Sequence, residues 1–533
     1  MSTLYLFGIG GSGARVLKQF TVMLASGVEL KGIDVIKPVL IDEDNGDAEK
    51  NVGMNGSVAD TIEFLQEYKK IHESWGEENS INYNKFFGRK IENISTIENF
   101  KLVFKGKNLE NETGKVFKEF IKAVRDEDKD LLHLLYSNEN LDTLMKGGFF
   151  GQPNIGSVVY DRLFDEGMIN SLIPSPNDIG ENDRIVFIGS IFGGTGAAGL
   201  PVLVRKIRKR LGINDKAIIG AVSLLPYFNV KQGSKIDSNK FNSKTLAALE
   251  YYKNIFCDKL NVIHYVGDYL KPTYDYHDSG SEQNYESNPA NFVEFIAATA
   301  VVDFVNTNKA VFDNQVVEEE QTDTNGNTIK VKKLKGGLPK VFTYEVQADG
   351  DQIKFSSVAE DDNNENLFFK NIISKMAAFH LFSCFMENSW DKKKELSDMW
   401  TDNPWAYNDE EKTDRDSFAK NVYDFSSGYH KMLKQMLSLP EKKHGGRALN
   451  VFYDELLVNV TDENDKRTLL TIINDMKPDM KNKSFFEFAR LLRNYARDFD
   501  DKKTVGYNLL TLFSQVCEKI VTDTHKKLGG NHD

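Results

Sequence analysis

Two glycine-rich turns set the chemistry available to this chain. In Arg184–Arg205, RIVFIGSIFGGTGAAGLPVLVR, a hydrophobic strand runs into a turn that opens directly onto a helix. Gly193, Gly194, Gly196 and Gly199 let the backbone come close to a phosphate, and the helix that follows points its unpaired N–H groups and positive dipole end at it. No lysine follows Thr195. A Walker P-loop needs Gly-Lys-Ser/Thr at that place, so this is a phosphate cradle of another kind. The second turn is GIGGSG near the N-terminus, where Gly8, Gly10 and Gly13 stand in GxGxxG spacing between a strand and a helix.

These turns need strands behind them and helices ahead. Leu4 to Gly8 reads as a strand, Ala14 to Ala25 as a helix and Pro38 to Ile41 as a second strand, a βαβ opening. From about 57 to 145 the pattern is polar and helical, an insertion with Ile62, Leu65, Tyr68 and Ile71 at helical spacing. Glycines return at Gly147, Gly148, Gly151 and Gly156, ahead of a helix at Ser157 to Phe164 and the strand Ile185 to Ile188. A helix at Leu200 to Leu211, a strand at Ala217 to Leu225, a helix at Ser243 to Asn254 and a strand at Asn261 to Val266 continue the alternation. Such alternation predicts a doubly wound parallel sheet. Pro289 is expected to start a long helix reaching about Asn306. Beyond it Asn325-Gly326 signals a hairpin, Val341 to Val346 and Gln352 to Ser356 read as short strands, and the chain from Glu365 onward is helical.

Composition narrows the classes. With 533 residues, 40% of them hydrophobic, the chain can bury at least two cores. A net charge of -12 argues against general nucleic-acid or anionic-membrane binding. The most apolar run, Phe292 to Val305, is broken by Glu294 and Asp303 and is too short for a membrane span. Only Cys257, Cys384 and Cys517 occur, which suits a reducing cytoplasm and excludes a cysteine-rich zinc site. They read as buried small hydrophobes, and the nine histidines show no paired metal spacing.

FGGTGAAG resembles the GGGTGSG signature loop of the tubulin and FtsZ superfamily, and GIGGSG resembles the family's first phosphate loop, in order over roughly Leu4 to Asn314. The resemblance implies a nucleotide-binding domain over 1–288, a central helix and following loop over 289–314, a small β-containing segment over 315–360 and a mostly helical C-terminal domain over 361–533. It implies that Gly10, Gly11, Ser12 and Gly13 cradle phosphates, with Asp42 and Asp44 matching the family's acidic pair and Asp44 the water-mediated Mg²⁺ partner. Gly148, Gly151 and Asn154 fall in the segment similar to the third loop, and Gly193, Gly194, Thr195 and Gly196 in the fourth, where Pro201 matches a proline of FtsZ proteins. Asn242 and Asn291 stand at the places that clamp the guanine edge.

Hydrolysis in this family uses acids beyond the central helix, which reach the nucleotide of the next subunit; Asp313 matches that place, with Asp303 as a fallback. The expectation is therefore a cytoplasmic GTP/GDP-binding GTPase with Mg²⁺ that assembles head to tail into filaments. A second reading is a nucleotide-dependent scaffold that binds without hydrolysing and recruits a protein partner through its C-terminal helices. A third is a Rossmann-type dehydrogenase or adenylyltransferase, since both use such an opening followed by an acid, here Asp42, Glu43 or Asp44. Departures from the tubulin/FtsZ pattern are Phe192 for a glycine, Ala197 and Ala198 for Ser/Thr-Gly, and Arg15 for an asparagine. The lost hydroxyl and amide leave the backbone cradle, so binding is better supported than fast turnover.

Overall fold

The computed structural model describes residues 1–42, 57–76, 83–102, 116–122, 125–143, 149, 151–212, 218–231, 238–256, 259–274, 289–313, 316–322, 328–334, 340–342, 352–354, 364–391, 409–438, 448–450, 491–492, 494–495 and 503–529. Its strands in chain order are β1 Thr3–Ile9, β2 Val35–Ile41, β3 Lys90–Ile91, β4 Arg184–Ser190, β5 Ile218–Leu224, β6 Asn229–Val230, β7 Val262–Val266, β8 Thr273–Tyr274, β9 Val316–Thr322, β10 Thr328–Leu334, β11 Lys340–Phe342, β12 Gln352–Lys354 and β13 Ala448–Asn450. The α-helices are α1 Gly10–Ala25, α2 Ser57–Glu73, α3 Phe117–Ile121, α4 Asp126–Leu135, α5 Asn138–Leu141, α6 Pro153–Leu163, α7 Glu166–Leu172, α8 Thr195–Leu211, α9 Phe241–Ile255, α10 Phe292–Asn306, α11 Ala310–Asp313, α12 Asn364–Asp391, α13 Asp409–Ser438 and α14 Val505–Gly529.

Seven strands form one sheet in the order β11-β7-β5-β4-β1-β2-β3, and every pairing in it is parallel. Strands β1, β4 and β5 are buried along their whole length, as helices on both faces require of a near-continuous apolar run. The faces can be told apart by their glycines. A Cβ on Gly8 would lie 3.1 Å from the Gly13 carbonyl oxygen of α1, whereas one on Gly189 would meet Leu200 of α8 at 3.4 Å. Gly8 is in register with Ile188, so Gly189 looks to the other side. Gly220, in register with Val186, faces Phe304 of α10. Helices α1 and α10 thus share one face and α8 covers the other. The doubly wound parallel sheet expected from the alternation is present.

Helix α10 carries the sequence FVEFIAATAVVDFVN and is buried nearly all round, which explains an apolar run without an amphipathic stripe. It lies beside α1 and parallel to it. Arg15 meets Glu294 at one end, and at the other Asn306 donates to the Glu29 carbonyl and accepts from the Lys31 N–H.

Several boundaries differ from the expectation. Pro289 stands outside α10, which begins at Phe292 with Asn291 as its N-cap. Helix α8 starts at Thr195, with four residues between it and the strand, and takes Pro201 into its interior. Strands β9 and β10 pair antiparallel as the expected hairpin. Lys340–Phe342, however, extends the main sheet beside β7, while Gln352–Lys354 pairs in parallel with Ala448–Asn450.

The C-terminal helices pack into the same apolar core as the sheet. Phe425 of α13 stacks on Phe64 of α2 with ring centroids 4.1 Å apart, Phe382 of α12 stacks on Phe86 at 5.1 Å, and Tyr507 of α14 meets Trp75 edge-on at 5.3 Å. Cys517 is a buried small hydrophobe. Cys384 is not: it is half-buried and faces His380 and His430, so the reading of the cysteines needs correcting there. Cys257 lies outside the described residues.

Candidate phosphate cradle

The strand order reverses between β1 and β4. From β1 the chain winds outward through β2 to β3, and from β4 it winds the other way through β5 to β7. The crevice beyond the carboxyl ends of strands at such a reversal is where open parallel sheets bind ligands. Both glycine turns end there, one on β1 and one on β4.

The turns touch because they lack side chains. Gly10 has φ +73°, a left-handed conformation that favours glycine. A Cβ on it would lie 3.3 Å from both the Gly196 nitrogen and the Thr195 Cβ. On Gly194 a Cβ would sit 3.0 Å from the Gly151 nitrogen, and on Gly196 it would sit 2.7 Å from the Ser190 nitrogen. Three segments therefore interlock: the start of α1 at Gly10, the backbone at Gly151, and Gly194–Gly196 at the start of α8. The structure brings together Gly10, Gly11, Ser12, Gly13, Gly151, Gly193, Gly194, Thr195 and Gly196.

Their electrostatics point the same way. Helices α1, α6 and α8 begin at these turns with no side-chain cap on the N-cap residue and no acid in the first turn. Helix α9, which borders the cradle, has neither as well. The other helices up to Asn306, α2, α3, α4, α5, α7 and α10, each carry an acid in the first turn, among them α2, whose Ser57 lies beside Gly11, and α10, whose Glu294 holds Arg15. A helix N-terminus holds roughly half a positive charge, and an acid nearby would offset it. At α1, α6, α8 and α9 that positive end is left for a ligand.

The other expected residues are spread more widely. Asn154 is exposed at the second position of α6, on the rim. Asn242 is exposed in the first turn of α9, where Lys271 Nζ lies 3.4 Å from its Oδ1. Phe241 beside it packs on Phe192 at 4.9 Å. Asn291 is buried, and its amide is engaged: Oδ1 accepts from the Val293 N–H at 2.9 Å and Nδ2 donates to the Tyr274 hydroxyl at 3.3 Å. Asp42 is half-buried at the exit of β2. Asp44 and Gly148 lie outside the described residues, as do Glu43 and Gly147. Asp303 sits near the far end of α10, with its Oδ2 3.6 Å from Nε2 of the buried His264. Asp313 closes α11, farther still along the chain.

Two departures acquire a structural reason. Phe192, in place of a glycine, is buried among Tyr227, Phe228 and Phe241, so it anchors the turn from behind. Arg15, in place of an asparagine, is the cation of a buried network. Its Nε donates to Glu294 Oε1 at 2.6 Å, and Nη2 donates to the Pro289 carbonyl. Tyr227 donates to the same Oε1 at 3.0 Å, and the Ser12 hydroxyl hydrogen-bonds Tyr227. Glu294 Oε2 accepts from the Asn291 N–H at 3.0 Å, completing a capping box with Asn291. Burial, and after it the Glu294 charge, holds the Tyr227 phenol well above its ordinary pKa. Burial alone would lower the Arg15 pKa, but Glu294 and the two tyrosines beside it raise it overall. The network fixes the first glycine turn to the start of the central helix.

Lys244 was not singled out in the sequence. Its Nζ donates to the Gly151 carbonyl at 2.6 Å, bringing an ammonium to the third turn. The signal was a lysine in the first turn of a helix that otherwise favours anions.

No protein-family model matches the chain. No curated protein matches it either. Among solved structures the chain aligns with CetZ1 from Haloferax volcanii, a GDP-bound monomer, with a TM-score of 0.28 and 12% identity, over 61% of this chain and 69% of that one. A likeness at that TM-score and identity assigns no function to this chain. No helix among the described residues is long and apolar enough to cross a membrane.

Proposed function

We propose that this chain is a tubulin/FtsZ-like GTP-binding protein that holds GTP and GDP in the cradle, hydrolyses GTP and assembles head to tail into filaments. The observation that carries the reading is the meeting of both glycine turns at the reversal between β1 and β4, with uncapped and acid-free helix N-termini around them. Backbone N–H groups of Gly10–Gly13 and Gly193–Gly196 would hold phosphate oxygens, which makes charge stabilisation the main contribution of the protein. Asp42 at the mouth suits a Mg²⁺ bound chiefly by phosphates and waters, and a bound Mg²⁺ would neutralise phosphate charge there.

The placement of the acids supports the head-to-tail part. Helix α10 has 15 residues, roughly 22 Å at 1.5 Å per residue. Its N-terminus lies at the cradle and α11 follows its other end. Asp303 and Asp313 are thus too far to act on a nucleotide in their own chain, but are placed to face the cradle of a second copy stacked end to end. Such a contact repeats without closing and builds a filament. Asn242 and Asn291 would read the base, Asn291 after exchanging its contact with Tyr274 for one to guanine.

The test is sedimentation and electron microscopy of the full chain with GTP, GDP and a slowly hydrolysed analogue, alongside phosphate release, for wild type, Gly194→Ala and Asp313→Ala. Gly194→Ala is expected to abolish nucleotide binding and Asp313→Ala to preserve binding while stopping phosphate release. Intact GTP binding in Gly194→Ala would overturn the cradle. GTP binding and assembly without phosphate release would leave the non-hydrolysing scaffold, which Ala197 and Ala198 favour because they offer no hydroxyl to the phosphates.

A further inference from the structure

His380 and Cys384 are one helical turn apart on α12, so they share a face. His430 on α13 meets them from the opposing helix, and one ligating atom from each lies within 4.8 Å of the other two. Cys384 Sγ is 3.5 Å from His380 Nε2 and 3.7 Å from His430 Nε2. The two imidazole rings stand edge to face, 5.3 Å between centroids. In a tetrahedral zinc site, Zn–S near 2.3 Å and Zn–N near 2.05 Å place sulfur and nitrogen about 3.6 Å apart. Both observed separations fall on that value.

Beside the cluster is Tyr429, fully buried, whose hydroxyl finds no hydrogen-bond partner among the described residues. Its ring stands edge-on to His380 at 5.9 Å. A buried hydroxyl without a partner is costly, and a water held at the cluster would satisfy it.

We propose that His380, Cys384 and His430 bind one Zn²⁺ ion, with a water in the fourth position bonded to the Tyr429 hydroxyl. Thiolate with imidazole suits zinc and copper and does not suit Mg²⁺ or Ca²⁺; three protein ligands with a water in the fourth position is the open tetrahedral arrangement of zinc, and metal analysis separates it from copper. On binding, the Cys384 thiol loses its proton to solvent and both imidazoles coordinate as neutral rings, so uptake strengthens as pH rises. The ion clamps α12 to α13. The inference is independent of the nucleotide reading, since these residues lie on the C-terminal helices.

The full chain, purified without chelator, is expected to carry about one zinc per chain by elemental analysis. After chelation, Co²⁺ should restore the site with visible bands of four-coordinate cobalt and a near-ultraviolet thiolate-to-cobalt band. Cys384→Ser should remove the thiolate band, and His380→Ala should weaken Co²⁺ binding at least about tenfold. The wild-type cobalt spectrum stands whether or not the variants fold. Co²⁺ uptake without a thiolate band, a band retained in Cys384→Ser, copper in place of zinc, or wild-type uptake below about a tenth of an equivalent would each overturn the proposal.

Discussion

Glu294 is where the candidate site and the stability of the fold meet, so its removal gives the sharpest prediction. The side chain is 1% exposed; its oxygens accept from Arg15 Nε at 2.6 Å, the Tyr227 hydroxyl at 3.0 Å and the Asn291 N–H at 3.0 Å. In Glu294→Ala the Arg15 guanidinium, 12% exposed, keeps its burial and loses its counter-charge. Breaking a buried pair from one side costs about 3–5 kcal/mol, and losing the capping box adds about 1 kcal/mol. The sum of about 4–6 kcal/mol is a large part of an ordinary stability of about 5–15 kcal/mol. Glu294→Gln keeps an acceptor for the cap but not the charge, so its expected cost is about 2–3 kcal/mol. Arg15→Met with Glu294→Leu removes both charges together and should cost far less than the two single changes summed. Urea unfolding of the nucleotide-free protein, followed by tryptophan fluorescence, measures all five: Glu294→Ala, Glu294→Gln, Arg15→Met, Glu294→Leu and the double variant. A Glu294→Ala cost below about 1 kcal/mol, or a double variant whose cost equals the sum of the singles, would refute the buried pair as the tie between the two helices.

Two further outcomes follow from the packing. Burial first, and then the neighbouring Glu63 and Asp424 carboxylates, pushes the Glu67 pKa up to about 7, against the opposing pull of Lys70 and Lys18. The folded state then binds a proton that the unfolded state releases near pH 4.5, so this contribution is present below that pH and is lost as pH rises through about 7. Glu67→Gln should flatten the fall in urea midpoint between pH 5 and pH 8, by on the order of 1 kcal/mol once solvent screening is allowed for. Parallel wild-type and variant profiles would contradict it. Gly220→Ala would put a Cβ 2.7 Å from the Phe304 ring, and overpacking of this kind costs about 1–3 kcal/mol. Phe304→Leu should recover part of that loss in the double variant, and no recovery would place the strain elsewhere.

Much of the parallel-sheet half is legible in the sequence because its signals are local. Strands buried on both faces appear as unbroken apolar runs, and each glycine turn lies between such a run and a helix, as at Ile185–Ile188 and Gly193–Gly196. The limits of α8 and α10 were misplaced for equally local reasons. Thr195 carries no apolar period, so the helix was expected later, and Pro289 imitates a first-turn proline when the true cap is Asn291, with Glu294 three residues on. What could not be read was partnership across the chain. Arg15 finds Glu294 only because α1 and α10 lie side by side, and His430 reaches Cys384 only because α13 packs on α12. The turn-spaced pair His380 and Cys384 was visible in the sequence, but a pair of ligands becomes a metal site only when a third residue arrives from elsewhere.

The C-terminal helices bear on the parallel-sheet half at its most constrained places. Gln435 of α13 accepts from the Ala290 N–H at 3.2 Å, one residue from the cap of α10, and Gln19 of α1 lies 3.9 Å from the Met436 sulfur. Phe64, Trp75, Phe86 and Phe87 are each buried, and all four lean on rings supplied by α12, α13 or α14. Burying one large apolar side chain contributes about 1.5–3 kcal/mol. Even partial exposure of four would cost several kcal/mol, on the scale of the whole folding free energy of about 5–15 kcal/mol. Residues 1–306 therefore share their apolar core with the C-terminal helices, and a chain cut at 306 is expected to lose several kcal/mol of stability. The segment Pro289–Asn291 is held by Arg15 from α1 and by Gln435 from α13, so a shift of that segment on nucleotide binding must displace one or both. Through the second contact, a movement of that segment would be felt by α13, the helix that carries His430.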